Sequence, residues 1–464
     1  MHIETLKNAC KGPVHAAGDA DFLDALHGPL WNRLVPTRAP LAIVKATDED
    51  DIIAAVKFAR ANRLKVAVRG GGHNWCQPSL RNGGLLIDIG AFTKVLSIDV
   101  DNRRAVIQPI ISNRDVQAAL NPLGLAFPTG HCPQVKASGY FLGGGMAWNP
   151  TVWGSGAESL EAIELVTAQG ELITASETEN PDYFWAARGA GSGFFGIVTK
   201  YYLKLYALPK AIHGSTSYYR LEDAPVIGTW LGRAAPGMSP SVELSQFIVQ
   251  APPHLREATA DRNGWLCMVT GAAFDDTPEA ARAALQPLET PPVAPLSREV
   301  ATPLNFEMLF DGSGALWPEG VRARVEATFS NHDPGEMMQA VLPLLSQAPS
   351  PTTVFLFTIF CGPNVPAPQK DMALSMHAKV YGGPWTMWWD AKDDAANAAW
   401  HRDLITTLRP FNLGYYLGES NTVERPANAI EAFTPEKWRK LCDLRATHDP
   451  EGVFFDYFEG LSEP

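Results

Sequence analysis

Two periodicities of apolar residues divide this chain. The stretch TDEDDIIAAVKFARANR, with Thr47 as N-cap and an acidic first turn, sets Ile52, Ile53, Val56, Phe58 and Ala59 at helical spacing. LKVAVR follows as a strand, and LLIDI and RAVIQPI read as short buried strands. SNRDVQAALNPLG predicts a helix that ends at Gly124. Residues 125–157 are rich in Gly, Pro and aromatics and predict an ordered loop. Two β-runs come next, LEAIELVTAQGELITA, with a turn at Gln169-Gly170, and FFGIVTKYYLKLYAL.

From about residue 210 the texture changes. Apolar runs such as ELSQFIVQ, GWLCMVTGAAF, RVEATFS and TTVFLFTIF alternate with helical stretches such as TPEAARAALQPL and PGEMMQAVLPLL. Strands with long helical returns predict an antiparallel sheet covered on one face, an α+β arrangement. The tail adds a helix, TPEKWRKLCDLRATH, and a turn at DPEGVF.

Composition narrows the class. A length of 464 residues predicts two or three domains, and 46% apolar with 19% charged residues is a globular composition. The net charge of −12, with no Lys/Arg cluster, excludes nucleic acid as a partner. No apolar run reaches the roughly 20 residues of a membrane span, and the N-terminus has no apolar h-region, so the expected location is cytoplasmic. The six cysteines form no CxxC pair, and no metal site is expected.

Three glycine-rich motifs carry the chemistry. GSGFFG, residues 191–196, fits GxGxxG but precedes a β-run, and no carboxylate follows near residue 216, so it is not a Rossmann site. VRGGGHNW, residues 68–75, follows a strand, where successive glycines let backbone amides converge on an anion; without GK[ST] it is no Walker loop. PTGHCPQVKASGYFLGGG, residues 128–145, brings Cys132 to a second such loop, 59 residues after His73.

This pairing resembles the FAD-binding domain of the vanillyl-alcohol-oxidase and p-cresol-methylhydroxylase superfamily, and within it the berberine-bridge-enzyme-like oxidases. The resemblance runs from about Pro40 to Tyr206 and resumes at WHRDLITTLRPFNLGYY and THDPEGVF. It implies an α+β fold: a PCMH-type FAD-binding domain of two α/β subdomains at 1–206 (core 36–206), a substrate domain at 207–417, and a returning segment at 418–464.

By the same resemblance, Arg69, Gly70, Gly71, Gly72, His73 and Asn74 would wrap the FAD pyrophosphate. His73 would be joined to the flavin 8α-methyl and Cys132 to C6, making the cofactor bicovalent. Gly130, Ser138, Gly139 and Gly143, Gly144 and Gly145 would lie along the flavin and diphosphate, while Gly196 and Val198 hold the adenine end. Val135 would be the oxygen gate, its small side chain favouring an oxidase. Tyr416 would be an active-site tyrosine, with Asp371 as the partner acid, Glu419 and Tyr415 as alternatives, and His131 polarising the substrate oxygen. Trp385, Trp388 and Trp389 are candidates for a stacking wall, with only one of the adjacent pair able to face the site.

The chain departs from the family pattern at Lys136, where relatives carry Gly, at Glu158 in place of Asp, and at Gly418 in place of Asn. The implied activity is hydride abstraction from a C–OH or C–N carbon of a small or bulky molecule, with O2 reduced to H2O2, by a monomer or homodimer. The alternatives are a dehydrogenase using another electron acceptor, or a binding protein on a degenerate flavin scaffold.

Overall fold

A βαβ crossover opens the architecture. In the computed structural model, which describes residues 3–364 and 367–461, strands 42–45, 85–88 and 66–69 are parallel, with 85–88 in the middle. Helix Glu49–Ala61 makes the crossover and buries Ile52, Ala55, Val56 and Ala59. Its N-cap is Asp48, one residue beyond the expected Thr47. The shift has a cause in Asp51, a buried carboxylate that collects the Thr47 amide at 2.9 Å, the Thr47 hydroxyl at 2.7 Å, and the Lys11 and Gly12 amides. Thr47 is thereby drawn to Asp51, and the capping role falls to the next acceptor along.

A second, five-stranded antiparallel sheet has the order 95–99, 104–107, 196–204, 160–167, 172–176. Its 160–176 hairpin turns where Gly170 takes a φ of +72°. The segment expected to be loop, 125–157, contains helices Ala137–Leu142 and Pro150–Trp153. Gly139, inside the first of these, masks the helical signal in sequence, since a helical Gly costs up to about 1 kcal/mol against Ala.

The third sheet has nine strands, beginning 297–304, 211–220, 265–275, 242–250, 354–360 and 380–388. Strands 322–325 and 328–330 both lie along 380–388, and 414–415 closes the edge against 328–330. Helices 224–234, 278–285, 334–345 and 394–408 belong to one face, where Leu244, Ile248, Val269, Phe355 and Phe357 are buried with them. The other face is left for a cavity. Trp388 is buried and Trp389 is 57% exposed, the opposite facing expected of neighbours on a strand.

The chain end comes back to the first sheet: Val66 donates to the Val453 carbonyl at 2.7 Å, and Phe455 donates to the Val66 carbonyl at 3.1 Å. Among the described residues, no helix is long and apolar enough to cross a membrane.

Candidate active site

Strand 66–69 ends at a cavity of about 820 Å³ that draws its lining from these three sheets, while the short 125–126 and 206–207 pair stands apart from it. The Arg69 side chain leaves that cavity. At 1% exposure it donates to Asp88 Oδ2 through Nη2 at 2.5 Å and Nε at 3.0 Å, and to the carbonyls of Leu26 and Ala25. The resemblance expects residues 69–74 to wrap a pyrophosphate through backbone amides, and the Arg69 side chain, its charge claimed by a buried carboxylate, adds no ligand to them.

The three glycines that follow make room for protein. A Cβ at Gly70 would lie 2.2 Å from Ser138 Oγ, and one at Gly71 2.2 Å from Lys136 Cγ. At Gly72, with φ of +66°, a Cβ would lie 2.3 Å from the Pro29 carbonyl oxygen. Their side-chain directions point into the wall, and among the described residues their amides have no acceptor. Gly139 is the converse case: it lines the cavity and has nothing within 4 Å of where its Cβ would be.

His73 and Cys132 meet in this wall, with Cys132 Sγ 3.5 Å from His73 Nε2. Burial pushes the His73 imidazole down to about 4, leaving it neutral at pH 7, and pushes the Cys132 thiol up to about 11. Asn113 braces the Cys loop, donating from Nδ2 to the Cys132 carbonyl at 2.9 Å and from its amide to the Val135 carbonyl at 3.0 Å. Gly130, Val135, Ser138 and Gly143 line the cavity, as do Asn74, Gly196 and Val198. Gly144 and Gly145 do not. They turn the chain behind the wall at φ of +107° and +79°, where a Cβ would strike Leu374 and Tyr140.

The far end of the cavity gathers ionisable groups. Strand 414–415 alternates, so Tyr415 packs into the core while Tyr416 enters the cavity. Tyr416 Oη accepts the amides of Gly145 and Met146, each at 3.3 Å. Tyr381 Oη donates to Glu419 Oε2, and burial raises the Glu419 carboxyl above its usual range. His131 Nε2 lies 2.5 Å from Glu243 Oε1, and Glu243 Oε2 accepts the Asn149 amide at 3.1 Å. Burial alone would lower the His131 pKa, but the Glu243 carboxylate outweighs it and the net shift is upward.

Asp371 is elsewhere. Its carboxylate accepts Trp185 Nε1 at 2.8 Å and Lys440 Nζ at 3.0 Å, and its side chain is 71% exposed. The placement rules it out as the partner acid. Glu158 is likewise structural, its carboxylate accepting the Ser155 amide at 2.8 Å.

Residues 40–176 match the FAD binding domain family. Over 402 residues the chain is 29% identical to FAD-linked oxidoreductase nodO of Hypoxylon pulicicidum, covering 86% of this chain and 87% of that one. The crystal structure of 6-hydroxy-D-nicotine oxidase from Arthrobacter nicotinovorans superposes with a TM-score of 0.81 at 22% identity, over 98% of both chains. BBE-like 1 of Physcomitrella patens superposes with a TM-score of 0.82 at 16% identity, over 100% of both. The chain is an FAD-linked oxidoreductase with the fold of these two structures.

The cavity of this oxidoreductase fits its cofactor on its own terms. The amides of residues 70–72 lack acceptors among the described residues, and the Lys136 ammonium, lining the same wall, has no ion pair there. Donors and an uncompensated cation in a half-buried wall suit a diphosphate. Open backbone at Gly139 suits close approach of a flat ring.

Two residues of the oxidoreductase's site are absent from the sequence reading, Glu243 and Tyr381. Glu243 stands in a strand that is otherwise almost wholly buried, and it is itself 8% exposed. A charge in a buried strand was the available signal. Tyr381 carried none, because its partner Glu419 is met only through the sheet.

Proposed function

We propose that the enzyme is an oxidase carrying FAD tethered at His73 and Cys132, which takes hydride from a C–OH or C–N carbon of a small or bulky organic substrate while O2 becomes H2O2. The 3.5 Å approach of Cys132 Sγ to His73 Nε2 carries this reading. His73 is assigned to the flavin 8α-methyl, and its neutral ring has the free lone pair that such a bond requires. Cys132 is assigned to C6. The amides of residues 70–72 and Lys136 would face the diphosphate, and Gly196 and Val198 the adenine end. When bound, FAD supplies the hydride acceptor and returns the electron pair to O2.

The protein's own work is to take a proton and fix the substrate. Glu419 is the assigned base: Tyr381 occupies Oε2, which leaves Oε1 for the substrate's hydroxyl or amine proton. Tyr416, whose oxygen already accepts two amides, keeps its O–H to hold the substrate heteroatom. His131, its pKa raised by the Glu243 carboxylate, would in its cationic form favour loss of that proton by adding positive charge beside it. Val135 lines the approach assigned to O2.

Acid-precipitated enzyme should stay yellow. Flavin should remain attached in His73→Ala and in Cys132→Ala and come free from the double variant; release from the unaltered protein refutes the tethers. Dithionite-reduced enzyme should reoxidise in air. A flavin that stays reduced there turns the assignment to a dehydrogenase.

A further inference from the structure

The cavity face of the large sheet carries a pattern that the proton-handling residues leave unused. Thr216 is in register with Thr270, Thr270 with Ser245, Ser245 with Thr358, and Thr358 with Tyr381. These five hydroxyls stand on five adjacent strands, and all line the cavity. With strands about 4.8 Å apart, the row is roughly 19 Å long. One end is Tyr381, bonded to the assigned base Glu419.

Little within the protein satisfies this row. Ser245 and Thr358 bond each other at 3.2 Å, and among the described residues the hydroxyls of Thr216 and Thr270 have no partner. The next row of the same face is largely hydrocarbon: Tyr218 pairs with Met268, Met268 with Phe247, and Phe247 with Leu356. Helix 306–316 adds Met308, Leu309 and Leu316 to the lining.

A molecule that covers such a floor must match both rows. Hydrocarbon laid over the hydroxyls would strip them of water and return no hydrogen bonds, a loss that discriminates strongly against analogues lacking the polar group. Ser and Thr donate and accept, so either a hydroxyl or a carbonyl would satisfy them.

We propose that the substrate is an elongated oxygenated hydrocarbon, with hydroxyl or carbonyl groups along one edge, an apolar opposite edge, and its reacting carbon at the Tyr381–Glu419 end. This rests on the cavity being the substrate site of the oxidase. The hydroxyls from Thr216 to Thr358 are its specificity element, and Tyr381 joins them to the catalytic groups at the end.

Titration calorimetry of the purified full chain tests this with three probes: cholate, whose hydroxyls lie on one face of a hydrocarbon skeleton; chenodeoxycholate, which carries fewer; and maltotriose, which is polar on every edge. The bile acids are used below their micelle concentrations. Cholate should bind more tightly than chenodeoxycholate and than maltotriose. Thr270→Val and Ser245→Ala should each weaken cholate by roughly five- to tenfold, the worth of one hydrogen bond. Flavin content and reoxidation in air should stay as in the unaltered enzyme. Absence of cholate binding, preference for maltotriose, or unchanged cholate affinity in both variants overturns the proposal. Binding heats need no turnover, so an enzyme whose flavin fails to reoxidise in air would sink the oxidase reading alone.

Discussion

Replacing Arg69 with Met separates two accounts of the residue that opens the RGGGH loop. If its side chain held the cofactor, Arg69→Met would lower flavin loading and spare the fold. The structure gives the guanidinium to Asp88, which is 3% exposed, and to two backbone carbonyls. Met fills a similar volume, so the main loss is the ion pair, and among the described residues the Asp88 side chain keeps the Gly90 amide at 2.7 Å. Removing one member of a buried pair costs about 3–5 kcal/mol, because the other charge stays buried and alone. At an m-value of about 3 kcal/mol/M, the urea midpoint should fall by roughly 1 to 1.7 M. Adding Asp88→Asn removes the orphaned charge and should recover part of the loss. Urea unfolding followed by circular dichroism, with flavin content measured on the same samples, reads both quantities. An unchanged midpoint with lost flavin would refute the reasoning.

Three other perturbations test separate parts of the site. Glu419→Gln should lower kcat by roughly 10²- to 10⁴-fold with flavin still bound; a smaller effect moves the base elsewhere. Because a base must be ionised and burial raises Glu419, kcat/KM should fall with acid at a pH above the ordinary 4.5 of a glutamate, and a limb at or below that value contradicts the assignment. Val135→Ile should slow reoxidation of the reduced enzyme by O2 in stopped flow, and equal rates would discard the gate. Glu326 is 2% exposed beside Arg425 and Asn428, and burial pushes its carboxyl up to about 7. Its folded pKa lies above the unfolded one, so its contribution to stability is lost as pH rises from about 4.5 through 7. Glu326→Gln should flatten urea midpoints across that window; parallel curves would disprove the linkage.

The helices and strands were legible where one face repeats. Helix 49–61 shows its period in Ile52, Val56 and Ala59, although its cap moved because a buried carboxylate four residues on competes for Thr47. The pairing of His73 with Cys132 was legible from two glycine loops, yet the reason for the glycines was not. Sequence indicates close approach to something, and only coordinates show that this something is Ser138, Lys136 and Pro29. Glu243 escaped notice because it meets His131 from 112 residues away, across a strand order no local pattern encodes. Asp371 attracted notice as an acid near the expected place, and its neighbours Trp185 and Lys440 come from distant segments.

Segment 414–419 has a consequence for anyone recombining such enzymes. One flank is sewn to the large sheet, through the pairing of 414–415 with 328–330 and the Ala327 amide on the Glu419 carbonyl at 2.8 Å. The other is sewn to the cofactor loop, where Gly145 and Met146 hold Tyr416. A chimera that exchanges the substrate sheet and splices before Gly414 would transplant the floor of the cavity and leave Glu419, the proposed proton acceptor, with the donor scaffold. The splice belongs after Glu419, with the 143–146 turn carried along, so that the recipient inherits the proposed base together with the floor it faces.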